Sequence, residues 1–117
     1  MYRNIRLTLK TSAALLSLSA LAHESRLAIF RLLVQAGPAG LAASKIAQRL
    51  DIPASSLSFH LKELTHANLI SAAPQGRSII YAAEFGTMNN LLSYLTDNCC
   101  GGNPCSPVSV TSGSRSR

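Results

Sequence analysis

The 117-residue, 12.4 kDa chain has room for one domain with one modest core. A formal charge of +6, with a pI near 9.8, points to nucleic acid or an anionic surface as partner. Three cysteines is an odd number, and all lie between Cys99 and Cys105, which argues against a secreted disulfide scaffold and for free thiols in a reducing, cytoplasmic setting. Apolar residues make up 47% and aromatics 5%, with no Trp, which suits a small helical core of Leu, Ala and Ile.

The N-terminus has the anatomy of a signal peptide: Arg3, Arg6 and Lys10 precede an apolar run over 11–21, and Leu18-Ser19-Ala20-Leu21-Ala22 resembles a cleavage site. Against export, Ala14, Leu15, Leu18 and Leu21 space as one helical face, and the pattern runs in phase into Glu24 and Arg26. The run is also too short to span a bilayer. A first helix is therefore expected over about residues 4–20, its stripe of Leu7, Ala14, Leu15 and Leu18 larger than so small a domain can hide alone. A second helix over 23–36 buries Leu27, Phe30, Leu33 and Val34 and turns Arg26 and Arg31 outward, and Gly37-Pro38 ends it.

Residues 41–50 read as a short third helix with Ala43, Ile46, Ala47 and Leu50 inward. Asp51-Ile52-Pro53 is a tight connection, and a fourth helix follows to about residue 67. On it Leu57, Leu61 and Leu64 share one face, while Ser55, Ser58, Phe59 and Lys62 share another that carries no acid. Two helices joined so closely make a helix-turn-helix, whose second member reads DNA. Ser55, Ser58 and Phe59 are candidates for base readout, with Phe59 against a thymine methyl, and Ser56 and Lys62 for backbone contacts. His60 flanks the leucine face and is expected to pack or bond locally.

With Asn68 as helix cap, residues 69–73 and 77–83 read as two strands around a Pro74-Gln75-Gly76 turn. A hairpin directly after a helix-turn-helix is a wing, and Arg77 at its tip would meet the backbone or minor groove. A last helix over 85–97 places Met88, Leu91, Leu92 and Leu95 on one face. The expected fold is mostly α with a small β-hairpin: a winged helix-turn-helix of five helices plus a two-stranded wing, dimerising through its first and last helices. Residues 1–98 form the DNA-binding and dimerisation domain, 99–105 a cysteine segment, and 106–117 a disordered tail rich in Ser, Gly and Arg. No nucleophile sits beside a His, no carboxylates pair and no Gly-rich phosphate loop occurs, so the chain does not read as an enzyme.

Three stretches in this order resemble the ArsR/SmtB family of winged-helix repressors, over about residues 21–83. They are Leu21-Ala22-His23-Glu24-Ser25-Arg26-Leu27-Ala28-Ile29-Phe30, then Ser55-Ser56-Leu57-Ser58-Phe59-His60-Leu61-Lys62-Glu63-Leu64, similar to the family's recognition helix, and Gly76-Arg77 at the wing. The resemblance implies a homodimer that binds operator DNA, represses its own operon and leaves when a metal or metalloid binds. One arsenic-sensing branch carries Cys-x-Cys near the start of the helix before the recognition helix, but residues 41–50 contain no cysteine. A zinc-sensing branch uses Asp, His and Glu on the last helix, but residues 85–97 contain no His and one acid. What remains is Cys99-Cys100-Gly101-Gly102-Asn103-Pro104-Cys105, which resembles the branch with an arsenite site just beyond the last helix.

Soft thiolates select soft ions. Cys99 and Cys100 can supply two sulfurs, and the Gly-rich turn can bring up Cys105 as a third. Zinc would want four ligands, and His23, His60 and His66 are distant in sequence. The favoured reading is a repressor released by arsenite, As(III), or by Sb(III). A repressor sensing Cd, an organoarsenical or redox state through the same cysteines remains open, as does a winged-helix protein with no effector.

Overall fold

The computed structural model describes residues 5–102 of the chain, with side chains from 11 to 101. The elements are α1 (Ile5–Leu21), α2 (Glu24–Ala36), β1 (Leu41–Ala42), α3 (Ala43–Leu50), α4 (Ala54–His66), β2 (Ile70–Gln75), β3 (Ser78–Ala83) and α5 (Phe85–Leu95), followed by a 3₁₀ turn at Cys99–Gly102. Five helices and a wing are thus present as the sequence predicts. The expected tail, 106–117, and Cys105 lie outside the described residues.

Local chemistry sets the helix ends. His23 caps α2, its ring nitrogen accepting the Ser25 N–H at 3.2 Å. Gly37 closes the same helix at φ +81, donating its N–H to the Leu33 and Val34 carbonyls. Asp51 ends α3 in the left-handed region, and Asn68, at φ +63, turns the chain after α4 into the sheet. There the Leu69 N–H returns to the Leu64 carbonyl at 3.0 Å, satisfying an acceptor the helix end would leave open.

The core is aliphatic. Ile29 and Leu33 of α2 meet Ile46 of α3, Leu57, Leu61 and Leu64 of α4, and Leu69 and Ile70 at the sheet. The buried side of α2 is rotated from the sequence reading: Ile29, Phe30 and Leu33 are inward and Leu27 is exposed. Arg26, read as outward, is half-buried and donates from Nε to the Ala20 carbonyl at 2.8 Å, clasping the α1–α2 corner.

The sheet has three strands in the order β1-β3-β2, one more than the sequence reading. Leu41 pairs with Tyr81 and Ala42 with Ile80, so β1 anchors the base of the wing. Gly40 makes this approach possible: it sits at φ +67, and a Cβ there would run into the Tyr81 carbonyl. The wing hairpin is also longer than expected. Pro74 pairs with Ile79 inside β2, which a proline tolerates because β2 is an edge strand. The turn is Gly76-Arg77 alone, with Gly76 at φ +64, since Gln75 pairs with Ser78.

Two helices carry apolar side chains that this core does not cover. Leu15 is 60% exposed on α1 and Leu95 55% exposed on α5, with Leu16, Leu18 and Leu92 exposed around them. Within the chain, Thr11 and Tyr94 join these helices through a 2.7 Å hydroxyl–hydroxyl hydrogen bond. No single helix among the described residues is long and apolar enough to cross a membrane.

Candidate nucleic-acid interface and cysteine segment

The two faces of α4 divide as their spacing dictates. Leu57, Leu61 and Leu64 are buried, whereas Ser55, Ser56, Ser58, Phe59 and Lys62 are all exposed. Phe59 is 56% exposed on this face. Pro53 precedes the helix and no side chain caps it, so its first-turn N–H groups point outward beside Ser55 and Ser56. Those N–H groups and the positive end of the helix dipole suit a phosphate.

Arg77 is exposed in the two-residue turn of the wing. Between wing and helix runs an open cleft lined by Ser58, Lys62, Ala72 and Tyr81, so the two elements frame one continuous surface. The structure therefore brings the residues of α4 onto one exposed face and places Arg77 at the tip of the adjoining hairpin.

A link behind this surface is not visible in the sequence. His60, on the inward side of α4, is 9% exposed. Its ring lies 4.7 Å from that of His23 and 5.7 Å from that of Phe59. An Arg26 guanidinium nitrogen approaches its Nδ1 at 3.4 Å. Arginine only donates, so this contact needs a neutral ring with its proton on Nε2. Burial first, then the charges of His23 and Arg26, push the His60 pKa below the ordinary histidine value. His60 therefore packs inward as expected, and its bond reaches Arg26 of α2, tying the reading helix to the α1–α2 corner.

The cysteine segment starts where α5 stops. Thr96 caps α5, the Cys99 N–H bonds the Thr96 carbonyl at 2.9 Å, and Cys100 and Gly101 both adopt positive φ in the 3₁₀ turn. The two sulfurs lie 3.6 Å apart. That is ordinary sulfur–sulfur contact; a reduced pair on one tetrahedral ion, at about 2.3 Å each, would sit about 3.8 Å apart. Cys100 is disulfide-bonded. Among the described residues no group of three or more His, Cys, Asp or Glu side chains is placed to hold a metal. Cys99 and Cys100 could supply two thiolates only once the Cys100 disulfide is reduced, and Cys105 lies outside the described residues.

A helix-turn-helix domain model matches residues 21–71, the span from the end of α1 through α4 into β2. No curated protein sequence matches the chain. Among solved structures, an ArsR-like transcriptional regulator from Rhodococcus sp. RHA1 is 25% identical with a TM-score of 0.67, covering 79% of this chain and 83% of that one. NolR from Sinorhizobium fredii is 26% identical with a TM-score of 0.61, covering 85% and 96%. The homodimeric winged helix-turn-helix DNA-binding domain of a possible ArsR-family regulator from Mycobacterium bovis shares the fold, at 21% identity and a TM-score of 0.64 over 89% and 96% of the two chains. These likenesses are to DNA-binding regulators and not to enzymes. The chain carries a helix-turn-helix domain on a winged-helix fold similar to that of ArsR-like regulators, and is a DNA-binding transcriptional regulator.

Proposed function

We propose that the protein is a homodimeric repressor that binds operator DNA through α4 and the wing and releases it when a trivalent metalloid is taken up by Cys99, Cys100 and Cys105. The observation that carries the effector half is the placement of the cysteine pair. Two sulfurs 3.6 Å apart stand directly beyond α5, a helix whose Leu92 and Leu95 are exposed for a partner copy. The Mycobacterium bovis domain that shares the fold is homodimeric, which is consistent with two copies pairing here.

On DNA, Ser55, Ser58 and Phe59 read base edges, Ser56 and Lys62 hold phosphates, and Arg77 reaches the neighbouring backbone or minor groove. Capture of a thiophilic ion stiffens the segment attached to α5 and biases how the two reading heads sit. A coupling of about 1–3 kcal/mol is typical of such linked sites, and DNA must weaken effector binding by the same factor.

A second reading shares the cysteines but not the ion. The disulfide at Cys100 favours a regulator switched by oxidation. The two separate in one titration, fluorescence anisotropy of the protein on DNA from its own promoter. With protein held reduced, arsenite should displace the wild type and leave a Cys99→Ser, Cys100→Ser, Cys105→Ser variant bound. Release by oxidant alone, with arsenite inert, would support the redox reading. Indifference to both removes the cysteines from the account.

A further inference from the structure

Ser17 is the polar residue on the buried face of α1, between Ala14 and Ala20. It is 4% exposed, and among the described residues its hydroxyl has no hydrogen-bond partner. Buried hydroxyls in native structures are nearly always bonded, so an open one points to something else that meets it. Ser17 lines an open pocket of about 240 Å³ between α1, the turn after α4 and α5. Among the described residues none of the α4 readout residues, Arg77, Cys99 or Cys100 lines it, so it is separate from both sites described above.

The lining has a definite chemistry. Asn68, Thr87, Asn90 and Tyr94 contribute polar groups, Leu16 and Leu91 contribute apolar surface, and among the described residues no charged side chain lines it. Tyr94 is already engaged with Thr11 across the mouth between α1 and α5, which leaves the Ser17 hydroxyl and the two carboxamides for a guest. An ion would leave water there without a counter-charge, which strongly disfavours charged guests. The volume falls below the roughly 300–1,000 Å³ of drug-sized sites, so it suits a single ring or a short chain.

We propose that this cavity binds a small uncharged molecule with an apolar body and one hydroxyl or carboxamide group, held by Ser17, Asn68 and Asn90. The assignment stands on the cavity and the open Ser17 hydroxyl and does not depend on the DNA-binding or cysteine readings. Its nearest rival is a side chain of a second copy, since α1 and α5 also present exposed leucines.

Amide-resolved NMR of the full chain tests it, with phenol and benzamide as neutral probes and benzoate as the charged one. Phenol and benzamide should shift the amides of residues 13–17, 67–68 and 87–94 saturably, and benzoate should not. Ser17→Ala should weaken the neutral probes by about 2- to 12-fold, the worth of one net hydrogen bond. Ala13→Leu, at an exposed rim position, should block them while leaving thermal stability unchanged. The proposal is overturned if no probe saturates, if benzoate binds as well as phenol, or if Ala13→Leu has no effect. It is equally overturned if intermolecular contacts show the cavity filled by the second copy.

Discussion

Lys62→Gln separates reading DNA from folding, because Lys62 is exposed on α4 one position from the buried Leu61. An exposed substitution of this kind shifts stability by no more than about 0.5 kcal/mol, so the thermal midpoint should hold. On DNA the effect is larger. If each protomer of a dimer places one Lys62 on a phosphate, two phosphate contacts are lost, and the slope of log K against log salt should fall by about 1.8. Between 50 and 200 mM salt that is a difference of about 12-fold in how much affinity the wild type and the variant lose. Because the charge effect is sequence-independent, promoter and shuffled DNA should weaken together. Fluorescence anisotropy over a salt series, with a melt of the same samples, makes the comparison. An unchanged slope with intact folding would refute the placement of Lys62 on the backbone. A fall of about 0.9 would mean that only one copy touches the duplex.

Gly40→Ala should destabilise the fold by about 1–3 kcal/mol, since a side chain at φ +67 is strained and its Cβ meets the Tyr81 carbonyl. Urea unfolding measures this, and a loss below about 0.5 kcal/mol would show that β1 can drift from β3 without cost. Stability should also decline on acidification through His60. Its folded pKa is depressed, so between the unfolded value of about 6.5 and the folded one the unfolded chain binds more protons. The contribution is therefore complete above about pH 6.5 and is lost as pH falls through the folded pKa. His60→Gln should flatten the stability profile below about pH 6.5. An identical acid limb in the variant would place the titration elsewhere.

Where a residue's role depends on its sequence neighbours, the chain was legible. Leu57, Leu61 and Leu64 recur at helical spacing and are buried, and the serines between them are exposed with Phe59 and Lys62. Gly37 and Asn68 adopt the left-handed region and end their helices near the expected positions. Long-range pairing was not legible. β1 is two residues long, too short to carry a period, and it exists because Tyr81 and Ile80 offer partners forty residues away. Pro74 resembles a turn residue until the strand order shows it on an edge. His60 looked local because its partners, His23 and Arg26, come from another helix. Leu27 seemed buried because apolar character alone sets the stripe on α2, and Ile29 takes the inward place instead. The Ser17 cavity left no signal at all, since small polar residues on three separate elements form it.

Hydroxyl-radical footprinting on DNA from the protein's own promoter tests the central claim, that two copies read adjacent major grooves through α4. Two protected backbone stretches should appear on one face of the duplex, about 34–36 Å or one helical turn apart. A Ser58→Ala, Phe59→Ala variant should remain folded and lose this pattern in favour of weak, uniform protection. A single protected stretch would contradict the dimeric reading, and an unchanged footprint in the variant would contradict α4 as the reading helix.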